Sequence, residues 1–204
     1  MPLTATSKLE AVNTMLTAIG EIPVSSITGA TTNDVSIAIS ILEDTSREVQ
    51  SKGWFFNTDL NYTLTPNQTN QIELPLNTLR VELEGASRSN NFVERSRKLY
   101  DRFNNTFTIT SPVKTTIVFY LEFEHLPEVA RHYITIRAAR IFQDRMLVSG
   151  ELHKFHEMDE LQAYMSLKEA EGDIGRHNIL TGNYDVYGIL DRGYYQPRFT
   201  DHNE

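Results

Sequence analysis

The sequence predicts an α+β fold: an antiparallel bundle of about four helices, an antiparallel β region inserted into it, and an extended C-terminal arm. Three observations carry that expectation. Apolar residues recur at helical spacing before Gly53 and again after Pro127. From Trp54 to Glu124 the period falls toward two, in short runs separated by Asn, Pro, Gly and Ser. After Gly172, glycine and proline mix with aromatic and aliphatic residues. The expected organisation is a first helical part over 1–53, a β region over 54–125, a second helical part over 126–172, and an arm over 173–204.

The first helix is expected from about Lys8 to Ile19. Ser7 and Glu10 have capping-box spacing, so each side chain can satisfy a free backbone N–H at the helix start. Leu9, Val12, Leu16 and Ile19 mark its apolar face. Gly20 stands where a left-handed C-terminal cap is wanted. A connector carrying Pro23 follows, and Pro23 can extend neither a helix nor a ladder. A second helix is expected from about Asp34 to Ser51, capped by Thr32 or Asn33. Val35, Ala38, Ile39, Leu42 and Val49 form its face, widened by Ile37 and Ile41, and Lys52-Gly53 ends it.

Seven β-type runs follow: LNYTLTP, QIELP, LRVELE, NFVER, KLYDRF, TFTITS and TTIVFYLEFE. The last is the strongest. Its alternation puts Ile117, Phe119, Leu121 and Phe123 on one side and Val118 and Tyr120 on the other, as in a central strand over Thr116–Glu124. Pro127 then suits the first position of a third helix, expected over Glu128–Leu147, with Val129, Tyr133, Ile136 and Phe142 in the core. A fourth helix is expected over Glu151–Glu171. It carries Leu152, Phe155, Leu161, Tyr164, Met165 and Lys168 at near-helical spacing, and its acids and lysines suit an exposed outer face.

Composition excludes several classes of function. There is no cysteine, so disulfides, thiolate nucleophiles and cysteine–zinc sites are out. The chain fits a reducing cytoplasm. The N-terminus lacks the basic-then-apolar pattern of a secretory signal, and no apolar run approaches a membrane span. The net charge of −8 argues against a tight DNA binder, although like charge suits a protein that DNA passes without adhering. Neither a phosphate-cradling loop, nor a dinucleotide fingerprint, nor a nucleophile elbow is present. The expectation is therefore a protein with no catalytic residues, cofactor or metal.

Several residues have both a chemical and a plainer reading. His153 and His156 share a helical face with Glu157 and Glu160 nearby, yet the spacing lacks the general base of a metalloprotease, so surface histidines are expected. Arg131, Arg137, Arg140 and Arg145 do not fall on one stripe, which favours a solvated face near Glu128 and Asp144 over a DNA or neighbour contact. Trp54-Phe55-Phe56 reads as core, because a stacking platform needs more basic residues than Lys52. Acidic residues are plentiful enough that a glycan hydrolase stands as the alternative reading, but nothing selects one carboxylate pair. The arm is where interaction outweighs self-packing. Ile179, Leu180, Tyr184, Tyr187, Ile189, Leu190, Tyr194 and Tyr195 give it adhesive side chains on a glycine-bearing backbone, as in a segment that orders on a partner.

The run from Ala11 to Gly29, AVNTMLTAIGEIPVSSITG, resembles the start of the tail tubular protein A family of T7-like short-tailed phages, where an Ala-Val-Asn helix leads into an Ile-Gly-Glu-x-Pro-Val connector. Gln50-Ser-Lys-Gly-Trp-Phe-Phe-Asn57 is similar to the motif ending that family's second helix. Leu126-Pro127-Glu128, the Ala139-Arg140-x-Phe142 segment and Asn178-Ile-Leu-Thr-Gly182 are also similar, so the resemblance runs end to end. It implies a virion tail protein assembled in the host cytoplasm. The expected role is an adaptor or gatekeeper ring of about twelve copies, sitting between the portal and the nozzle (tail tubular protein B), helping retain packaged double-stranded DNA and passing it at ejection. The helices would form the ring body, the β region would face the nozzle, and the arm would embrace the portal.

Overall fold

The computed structural model describes residues 5–29, 32–83, 91–146 and 150–175, with side chains of the last stretch described for 157–173. Among these residues the order is α1 (Lys8–Ala18), α2 (Asn33–Gln50), β1 (Thr58–Leu64), β2 (Thr78–Leu83), β3 (Phe92–Arg95), β4 (Lys98–Asp101), β5 (Val113–Phe119), α3 (Glu128–Met146) and α4 (Gly150–Gly175). The fold is mixed α+β with antiparallel sheets.

The capping box forms as expected. The Ser7 hydroxyl accepts from the Glu10 N–H at 3.2 Å, and the Glu10 carboxylate accepts from the Ser7 N–H at 2.7 Å. The end of α1 is a left-handed cap. Gly20 has φ 84°, its N–H donates to the Thr17 carbonyl, and the Glu21 N–H donates to the Leu16 carbonyl. The connector then folds back on α1, because the Asn13 amide donates to the Val24 carbonyl at 3.0 Å and accepts from the Val24 N–H at 2.8 Å. Asn13 and Val24 belong to the two halves of the N-terminal motif, and this contact is what joins them.

Helix α3 lies against α1, α2 and α4. That is why Ala130, Tyr133, Ile134, Thr135, Ala138, Ala139, Phe142 and Gln143 are all buried, around far more than one face. Of the four core residues expected there, Tyr133 and Phe142 are buried, whereas Val129 and Ile136 pack at the edge. On α2, Ile41 rather than Ile39 is fully buried, and Ile37 is exposed. One apolar core joins residues of α1, α2, α3 and α4 with Trp54, Phe123 and Leu126.

The sheet has order β1-β5-β2, so the last strand is central and antiparallel to both neighbours. Its extent differs from expectation. It starts at Val113 and stops at Phe119. Beyond that point the backbone has other partners: the Tyr120 N–H donates to the Asn77 carbonyl, and the Leu121 N–H donates to the Gln50 side chain. Phe123 consequently lies in a 3-10 turn over Phe123–His125. β3 and β4 form a separate hairpin. The QIELP and TFTITS runs make only isolated bridges, Glu73 to Lys98 and Thr106 to Asp101. Pro75 cannot donate to a ladder, and Ile72, Leu74 and Ile109 serve a second small core under the sheet.

Candidate assembly surfaces

The Gln50–Asn57 motif is a junction where the chain leaves the helices, and the strand that returns is fastened to the same place. Gln50 is fully buried. Its amide oxygen accepts from the Leu121 N–H at 2.8 Å, and its amide nitrogen donates to the Leu121 carbonyl at 2.9 Å. Asn57 is buried too: it donates to the carbonyls of Gln50 at 3.0 Å and Phe119 at 2.8 Å, and accepts from the Trp54 N–H at 2.8 Å. Buried amides satisfied at both ends specify one geometry. Gly53 has φ 78°, and a Cβ there would approach the Arg80 guanidinium to 2.8 Å and the Val118 side chain to 3.1 Å, so the turn requires glycine. Trp54 is 2% exposed and its Nε1 donates to the Val49 carbonyl, as a core residue and not a stacking platform.

Three of the four α3 arginines are structural, which corrects the solvated-face expectation. Arg131 ties the crossing from β5 to α3 to the segment before α1: it donates to the carbonyls of Leu126 at 2.8 Å and Glu124 in the crossing, and to that of Thr6 at 2.9 Å. Arg137 donates to Glu160 of α4 at 2.5 Å and to Glu48 of α2 at 2.7 Å. Arg140 donates to Glu160 and, at 3.2 Å, to Asp144. Arg145 is exposed. Burial pushes the Glu160 carboxyl up, but the hydrogen bonds and charges of Arg140 and Arg137 outweigh it and leave the group below its ordinary range. Burial likewise raises the Tyr133 phenol, with Arg137 opposing.

These residues border a groove of about 370 Å³ lined by Lys52, Tyr133, Arg140, Glu157, Glu160, Leu161 and Tyr164. A glycosidase acid needs a carboxyl held protonated near neutrality. Glu160 is shifted the opposite way by its two arginines, so it is poorly suited to that role. Among the described residues no group of three His, Asp or Glu side chains could hold a metal. The side chains of His153 and His156 lie outside the described residues, as does the whole set Ile179, Leu180, Tyr184, Tyr187, Ile189, Leu190, Tyr194 and Tyr195.

What the structure adds is a set of large apolar side chains left in solvent. Among the described side chains of α4, Ala163 and Leu167 are buried and Tyr164 is half-buried, while Met158, Leu161 and Met165 point outward. The side chains of Leu152 and Phe155 lie outside the described residues; among the rest of the expected set, α3 takes the face between Leu161 and Met165. Ile22 and Leu76 are each 82% exposed, and Phe103 is 79% exposed beside a loop that Asp101 fastens to the N–H groups of Phe103 and Asn104. Scattered exposed aliphatics are ordinary, but stripes and fixed knobs mark interaction surfaces. No helix among the described residues is long and apolar enough to cross a membrane.

A two-core α+β chain with no catalytic constellation among its described residues, and with apolar groups displayed on fixed loops and one helix face, has the makeup of an assembly part. Comparison with known proteins defines the class as a structural protein of a phage tail. Residues 9–177 match the family described as tail tubular protein. The chain belongs to that family. It is 29% identical over 161 residues to tail tubular protein A of Klebsiella phage KP34, an alignment covering 78% of this chain and 83% of the relative.

Proposed function

We propose that the chain is the ring-forming adaptor of a short tail, joining the portal above it to the nozzle protein below. Membership of the tail tubular protein family across residues 9–177 carries this reading. In it, about twelve copies close into a ring through their helices. The β region meets the nozzle, where Leu60, Leu76 and Phe103 offer exposed apolar contacts. The arm over 173–204 docks on the portal through Ile179, Leu180, Tyr184, Tyr187, Ile189, Leu190, Tyr194 and Tyr195. The ring helps retain packaged DNA and lets it pass at ejection, and the net charge of −8 suits a passage that does not hold phosphates. Assembly takes place in the host cytoplasm and the product resides in the virion tail.

Truncation tests the arm. A chain ending at Gly172 is expected to keep its circular dichroism spectrum and melting temperature, since the described cores need nothing beyond Leu167. It should no longer co-sediment with portal rings that the full chain binds. Undiminished portal binding by the shortened chain would remove the arm from the account.

A further inference from the structure

We infer that the contact between neighbouring copies is a knob-into-groove joint, with Ile22 of one copy seated on the Leu161 stripe of the next; this rests on the ring reading above. A ring needs a heterologous contact, made by two different surfaces of the same chain. The helical body offers such a pair. α1 and α4 each pack extensively on α3 and at most marginally on one another, so their outer features belong to different flanks.

The knob follows α1. Ile22 is 82% exposed, yet its backbone is held on both sides: by the Glu21 N–H bond to the Leu16 carbonyl before it, and by Pro23 and the two Asn13 bonds to Val24 after it. A side chain presented by such a loop loses little freedom on binding. The groove lies on α4. Met158, Leu161 and Met165, spaced three and four residues apart, are 72%, 53% and 60% exposed. Leu161 also walls the 370 Å³ groove with Tyr133 and Tyr164, which has room for a branched aliphatic side chain.

Charge selects the occupant. Lys52 stands at the rim with its ammonium 5.7 Å from the centre of the Tyr164 ring, and among the described residues it has no carboxylate partner. Glu21, next to the knob, is exposed and likewise has no cationic partner among them. Seating Ile22 against Leu161 brings Glu21 of one copy to Lys52 of the next. A second copy of this chain therefore satisfies both the apolar and the ionic halves of the surface.

The lack of native cysteine makes the test clean. The full-length double variant Ile22→Cys with Leu161→Cys is oxidised at ring-forming concentration and run on a non-reducing gel. A ladder of disulfide-linked multimers is expected, because the two Cα atoms must approach within about 7 Å to be bridged. Ile22→Cys paired with Phe103→Cys should give none. Ile22→Asp should raise the concentration needed for ring formation by about 10- to 100-fold, the range of a central apolar anchor. Glu21→Lys or Lys52→Glu alone should weaken assembly about two- to fivefold, and the two together should restore it. Rings seen by electron microscopy without a 22–161 ladder would overturn this joint and leave the ring standing. A chain that stays monomeric at every concentration and gives no ladder would overturn both.

Discussion

Replacing Trp54 with Ala is expected to lower the unfolding free energy by about 3–5 kcal/mol, a large part of the 5–15 kcal/mol that a domain of this size commands. The magnitude follows from where the ring sits. Trp54 is 2% exposed and lies just past the end of α2, yet it meets α4: its indole stands edge-on to Tyr164 at 6.2 Å, and the Lys168 ammonium lies 4.7 Å from its ring centre. Its Nε1 donates to the Val49 carbonyl at 2.8 Å, which closes α2. Truncation would open a cavity between α2 and α4, remove the indole's hydrogen bond to the Val49 carbonyl, and remove the aromatic contact, three losses at one point. Urea unfolding followed by circular dichroism would measure it. A loss below about 1 kcal/mol would mean that the junction is fastened mainly by Gln50 and Asn57.

The second large effect concerns Glu160. Its carboxylate is shared by Arg137 and Arg140, with the three side chains 13%, 22% and 20% exposed. Glu160→Gln keeps the shape but leaves two half-buried guanidinium groups without their common anion. The expected cost near neutral pH is about 2–3 kcal/mol, less than the 3–5 kcal/mol of a fully buried pair, because Glu48 and Asp144 still hold one arginine each. The pH dependence has a definite sign. The folded carboxyl lies below its ordinary value, so the unfolded chain binds the proton first as pH falls. The stabilisation is fully present above the ordinary glutamate value of about 4.3 and is lost as pH falls through the folded value. The gap between wild type and Glu160→Gln should therefore be constant from pH 8 to about 6 and narrow below about 4.5. A gap that widened on acidification would contradict the assignment of the charged form.

These two sites also show what could be read from residues alone. Helix starts and stops were legible because their determinants are local: Ser7 and Glu10 are three residues apart, and Gly20 closes a turn begun at Leu16. Trp54 was legible as core by type and setting. The central strand was legible, but its end was not, since Leu121 leaves the sheet for a side chain at Gln50, 71 residues earlier. The β-like runs at Gln71–Pro75 and Thr106–Ser111 have strand composition without a strand partner, and pairing is a property of the fold. Arg137 and Arg140 looked like solvated charges because Glu160 is more than 19 residues away on another helix. On α4, spacing revealed that Leu161 and Met165 belong together, but only the position of α3 decides that they face solvent. The proposed docking arm rests on composition alone, aromatic and aliphatic groups spread along a glycine-bearing backbone.

In the proposed role, this chain closes into a ring that docks on a portal. Electron microscopy of the full-length protein mixed with its portal tests that claim most directly. The account predicts closed rings of this chain stacked coaxially on the portal, each around an open passage. Monomers beside bare portals, or two-fold dimers that leave no surface for a third copy, would contradict it.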